Sequence, residues 1–116
     1  MEIDIVEPVR LEDGKHEGAI TEVQFRTEPY KYMDVVIETQ GKDRVIPLKY
    51  GVPYSDNVTE MTKLGRLLRE FTELKIGEKV DPEKILLGKK VTFQTQMDKS
   101  DKGEFCRILN GTVKPL

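Results

Sequence analysis

Apolar positions recur with a period of two along most of the chain and with a period of three to four over one stretch only, residues 55–72. In that stretch Met61, Leu64, Leu67, Leu68 and Phe71 fall on one face of a helix, while Arg66, Arg69 and Glu70 fall mainly on the other. Asn57 is a candidate N-cap and Glu60, three residues on, completes a capping-box-like pair. Three strand-like runs precede this helix and two follow it.

The first run, residues 19–27, predicts a strand with Ala19, Thr21, Val23 and Phe25 on one face and Glu22, Gln24 and Arg26 on the other; Ile20 interrupts the alternation. Residues 27–31 form a loop, because Pro29 removes a ladder donor. Residues 32–39 predict the second strand, with Met33, Val35 and Ile37 inward and Asp34 and Glu38 outward, and residues 40–43 a tight hairpin connection. The third strand, residues 44–52, puts Ile46, Leu48 and Tyr50 on one face, and Pro47 argues for an edge or a bulge. Beyond the helix, Asp81, Pro82 and Gly88 supply the cap, first residue and stop of one short helical turn. The fourth strand, residues 89–97, turns Val91, Phe93, Thr95 and Met97 inward; a polar loop over 98–103 leads to a last strand, 104–113, bent at Asn110 and Gly111. Residues 1–11, interrupted by Pro8, read as an edge strand or as an arm through which two copies pair as a homo-oligomer. Three strands, a helix and two strands predict a mainly β single domain over residues 1–116. Its expected form is a five-stranded OB-like Greek-key barrel, with the helix between strands 3 and 4 plugging one end, and a half-barrel or sandwich of the same strands is the main rival.

Composition changes this picture little. A chain of 116 residues, 37% hydrophobic and 34% charged, supports one core and no more. No run of eighteen apolar residues and no basic-then-apolar leader occurs, so a cytoplasmic protein with no membrane partner is expected. Charge is more informative. Residues 1–58 carry 7 Lys+Arg and 12 Asp+Glu, whereas residues 59–116 carry 12 and 9, so an acidic first half joins a basic second half.

Enzyme chemistry finds little support. His16, the single histidine, sits between Lys15 and Glu17, and no partner for a general base accompanies it. Cys106, the single cysteine, lies among Phe105, Ile108 and Leu109 as an apolar filler. One His and one Cys exclude the common zinc tetrads within one chain, the nine glycines stand singly rather than in a phosphate loop, and the acid clusters lack calcium-loop spacing. No catalytic residue, metal or cofactor is therefore expected. Single-stranded nucleic acid is bound by aromatic rings that stack on bases and by cations that follow the phosphates. In an OB barrel strands 2 and 3 and the loops joining strands 1–2 and 4–5 do this. The matching positions are Tyr30, Lys31 and Tyr32 in the first loop, Arg44, Lys49 and Tyr50 on the third strand, and Arg107 on the last, with Lys99 and Lys102 in the acid-rich second loop.

The segment 11–20, with Leu11, Gly14, Gly18 and Ile20 in a Leu-x-x-Gly-x-x-x-Gly-x-Ile pattern, resembles the opening of small replication-associated proteins of phages and prophages. Residues 32–38 (YMDVVIE), 64–71 (LGRLLREF) and 86–93 (LLGKKVTF) look like that group's second strand, helix and approach to the fourth strand. The resemblance spans about residues 11–115 and is one of turns and apolar positions; unlike typical bacterial single-strand binders, the chain has no Trp. It implies an OB-fold module resembling single-stranded-DNA-binding proteins, without enzymatic activity. The competing expectation is a protein–protein adaptor or virion structural component on the same scaffold.

Overall fold

The computed structural model describes residues 2–3, 13–41, 44–55, 59, 61–100 and 103–116. The arm over 1–11 (apart from exposed Glu2 and Ile3), the Asn57–Glu60 capping pair and Lys102 lie outside the described residues. The chain is mainly β, with strands β1 (Gly14–Arg26), β2 (Tyr32–Gln40), β3 (Val45–Pro53), β4 (Lys90–Ser100), β5 (Gly103–Ile108) and the short β6 (Lys114–Pro115). Two short helices, α1 (Lys63–Arg69) and α2 (Pro82–Leu86), fall between β3 and β4. The strands form one antiparallel sheet in the order β3-β2-β1-β4-β5, with β6 also on β4. The sheet curls into a half-barrel, so that its two end strands, β3 and β5, touch.

β1 begins at Gly14, five residues before the predicted start, and serves two neighbours. Gly14 to Ala19 pair with Thr95 to Lys90 of β4, and Gly18 to Arg26 pair with β2. Between these roles the register slips at Thr21: Ile20 faces Ile37 and Glu22 faces Val36. A bulge of this kind adds one residue and reverses which parity points inward. Ile20 and Val23 are therefore the buried residues of β1, while Thr21 and Phe25, predicted inward, are exposed and Ala19 is half-buried. The interruption that Ile20 makes in the alternation is the bulge itself. Ile20 is also fastened from the α2 side: its N–H donates to the Lys89 carbonyl and its carbonyl accepts from the Gly88 N–H, both at 2.9 Å.

β2 buries Met33, Val35 and Ile37 as predicted. β3, with Pro47 on it, is an end of the sheet path. The last strand bends at Asn110 and Gly111, where Gly111 has φ +77°, a backbone conformation that costs glycine nothing. The bend keeps hold of β4: the Leu109 N–H donates to the Gln94 carbonyl at 2.9 Å, and the Thr112 hydroxyl accepts from the Gln94 N–H at 3.1 Å.

The helical stretch is shorter than its apolar periodicity suggests. α1 starts at Lys63, with Thr62 as N-cap accepting from the Gly65 N–H at 3.0 Å, and ends at Arg69. Leu64, Leu67 and Leu68 are buried in one cluster with Met33, Val35, Tyr50 and Val52, and Phe71 packs against it. Met61 precedes the helix and is 70% exposed. The short turn is as predicted: Asp81 caps α2 by accepting from the Glu83 and Lys84 N–H groups, and Pro82 is its first residue.

Two substitutions test this packing. A Cβ on Gly18 would stand 2.5 Å from the Glu38 carbonyl oxygen and 3.0 Å from the Ile37 side chain, so Gly18→Ala should destabilise by about 1–3 kcal/mol. Leu68→Ala, at a fully buried position, should cost about 2–5 kcal/mol. Urea unfolding monitored by circular dichroism should show lower midpoints with an unchanged slope.

Candidate functional site

The turn between β1 and β2 gathers aromatic residues. Phe25, Tyr30, Tyr32 and Tyr54, half of the eight Phe and Tyr residues, lie on this turn, on the strand ends flanking it, or next to the end of β3. Phe25 shares the parity of buried Val23 but lies near the end of β1, where it is 47% exposed. Its ring meets the Tyr54 ring edge-on, with centroids 5.4 Å apart and planes at 86°. Tyr54 is held to the turn by its N–H, which donates to the Lys31 carbonyl at 3.2 Å, and by its hydroxyl, which donates to the Arg26 carbonyl at 3.4 Å. Tyr30 follows the cis Glu28–Pro29 peptide and is 70% exposed.

Tyr32 lies between Arg26 and Gly51. The Arg26 guanidinium stands 5.4 Å from the ring centroid, and a Cβ on Gly51 would come within 3.7 Å of the Tyr32 ring. Asp34 fixes the arginine through both carboxylate oxygens, with Nε to Oδ2 at 2.6 Å and Nη2 to Oδ1 at 3.1 Å. Asp34 occupies the outward parity predicted for it, yet it is only 5% exposed. A two-pronged ion pair of this geometry restrains a cation over a ring more firmly than a solvated pair would.

Of the residues predicted to bind nucleic acid, Tyr30, Lys31 and Tyr32 come together at this end, and Arg26, Phe25 and Tyr54 join them. Arg44 stands at the opposite end of the β2–β3 hairpin, about 25 Å along the strand at roughly 3.3 Å per residue. Lys49 is exposed halfway along β3. Tyr50 has the other parity and is 4% exposed, which leaves its ring no open face for a base. Arg107 is exposed on β5 and paired with Asp98 at 2.8 Å.

A second feature was not signalled by the strand pattern. α1 and the Asn110–Gly111 bend enclose a cleft of about 550 Å³, lined by Tyr50, Lys63, Arg66, Leu67, Arg69, Glu70, Asn110, Gly111 and Val113. The Lys63 ammonium donates to the Gly51 carbonyl at 2.7 Å and stands 4.5 Å from the Tyr50 ring centroid. Partial burial lowers the Lys63 pKa from its ordinary value. Burial raises that of Tyr50, against a smaller opposing effect of the hydrogen bond that its hydroxyl accepts from the Gly111 N–H at 3.3 Å. Arg66 and Arg69, assigned from periodicity to the wet face of the helix, form the mouth of this cleft; only the packing of the bend against α1 turns that face into a wall.

His16 is half-buried, with its ring centroid 5.9 Å from that of Phe93. Among the described residues no group of three or more His, Cys, Asp or Glu could hold a metal ion, and no helix is long and apolar enough to cross a membrane. Comparison with protein-family models and with curated proteins gives no match to this chain.

The Arg26–Asp34 pair should support stability as well as the site. Asp34→Ala is expected to lower stability by about 1–2 kcal/mol, since Asp34 is buried while Arg26 remains half exposed. A thermal melt beside the wild type measures this.

Proposed function

We propose that the chain is a non-catalytic OB-like Greek-key module that binds single-stranded nucleic acid at the β1–β2 end of its sheet. The fold part of this reading is supported by the strand path β3-β2-β1-β4-β5, by the approach of β3 to β5, and by helices lying between β3 and β4. The functional part is carried by one observation: the clustering of Phe25, Tyr30, Tyr32 and Tyr54 around a turn that also bears Arg26 and Lys31. Bases would stack on Tyr30 and Tyr32, while Lys31 and Arg26 would face the phosphates. Stacking of this kind is indifferent to sequence because every base has a π-face. Arg44, Lys49 and Arg107 would touch only a strand long enough to leave this end.

Fluorescence anisotropy with a labelled dT20 oligonucleotide tests the reading. Binding should weaken as salt rises. Tyr30→Ala and Tyr32→Ala should each cost about 1–3 kcal/mol of binding, the usual range for a stacked base. Absence of binding at low salt, or binding that both substitutions leave unchanged, would refute it.

A further inference from the structure

The cleft between α1 and the Asn110–Gly111 bend is separate in composition from the aromatic end. Lys63, Arg66 and Arg69 recur every third residue along α1, which keeps all three near one side of a short helix. Among the described residues lining the cleft, one carboxylate, Glu70, stands against these three cations, on a protein whose overall formal charge is −2. Cations held close together with one wall of apolar side chains, here Leu67 and Val113, raise the local positive potential well above that of the same charges spread over a surface.

The three cations are not equally committed. The Lys63 ammonium is anchored by the Gly51 carbonyl and the Tyr50 ring, so its position is fixed and part of its water shell has been removed. The Arg66 guanidinium has no hydrogen-bond or ion-pair partner among the described residues. A fork of N–H donors beside a fixed ammonium matches the oxygens of a phosphate. The volume of about 550 Å³ lies within the range of small-ligand sites, and Asn110 at the rim adds a polar side chain that neither repels nor neutralises an anion.

We infer that this cleft is a phosphate-binding site, with the Arg66 guanidinium gripping the anion, Arg69 adding positive charge beside it and Lys63 supplying a fixed positive charge beneath it. The inference stands independently of nucleic-acid binding at the aromatic end. The phosphate is either that of a free phosphorylated small molecule or one in the backbone of a strand.

Two probes on the full chain separate these sources: inorganic pyrophosphate, followed by isothermal titration calorimetry at low salt, and labelled dT20, followed by anisotropy. The doubly substituted Arg66→Ala, Arg69→Ala protein should lose on the order of tenfold in affinity for whichever probe occupies the cleft, a loss typical of charge-assisted contacts. Its melting temperature should stay near that of the wild type, because both arginines are exposed and alanine favours helix. Glu70→Gln should act in the opposite sense and tighten binding by roughly two- to fivefold. Lys15→Ala, which removes an exposed charge on β1 outside the cleft lining, controls for net charge. A loss confined to pyrophosphate identifies a free phosphorylated ligand, and a loss that includes dT20 identifies strand phosphates. The inference is overturned if neither probe loses affinity in the double variant, or if Lys15→Ala weakens binding as much. Tyr30→Ala leaves the cleft intact, so failure at the aromatic end reads out separately.

Discussion

The sheet depends on the bulge at Thr21. Among the described residues β1 is the only strand that pairs with both β2 and β4, and it makes the change of partner within a few residues, between Gly18 and Glu22. A straight strand paired on both sides along its whole length would give a flat sheet, whereas an extra residue at the changeover increases local twist and bends the strand. Ile20 sits at that point with its side chain in the core and both its backbone groups bonded to the segment leaving α2. Gly18 lies two residues away because β2 passes too close there for any side chain, and the Thr39 hydroxyl donates to the Glu17 carbonyl at 2.6 Å where the ladder ends. Curl, core and helix placement all meet at one short segment.

The same segment determines what the surface displays. Beyond the bulge β1 runs on beside β2 to Arg26, where Phe25 meets Tyr54 and Arg26 reaches Tyr32 and Asp34. The aromatic end therefore rests on the β1–β2 register that resumes after the bulge as much as on the identities of the rings.

Much of the architecture was legible in the chain itself. Period-two alternation located β2 and β3 to within about a residue and the start of β4 likewise, though β4 runs on to Ser100; Pro47 marked an end strand, and Asp81 with Pro82 located α2, since each rests on a local rule that no distant contact overrides. The misses have physical reasons. Hydrophobic periodicity over 55–72 was read as one long helix, but the apolar spacing that includes Met61 continues beyond the point where Thr62 caps α1. On β1 the predicted parity holds beyond the bulge, at Val23, and fails before it, where Ile20 takes the buried place, because one alternation was extended through the whole run. For the candidate site, Tyr30, Lys31 and Tyr32 were accessible as a loop motif, whereas the Tyr50 parity removes it from the surface. The basic cleft was invisible in advance, since it forms only where α1 meets a bend some forty residues later.

The meeting of Tyr50 with Gly111 has one more consequence. β3 and β5 are the free ends of the sheet path, and among the described residues no ladder joins them. Besides the packing of β3 against β5, the Tyr50 phenol oxygen on β3 accepts the amide hydrogen of Gly111 in the bend beyond β5. A seam held by side-chain packing and one such hydrogen bond, with no ladder among the described residues, opens at lower cost than the paired strands around it. The half-barrel therefore has a built-in clasp, and deuterium should enter at the Gly111 amide long before it reaches the interior of β2.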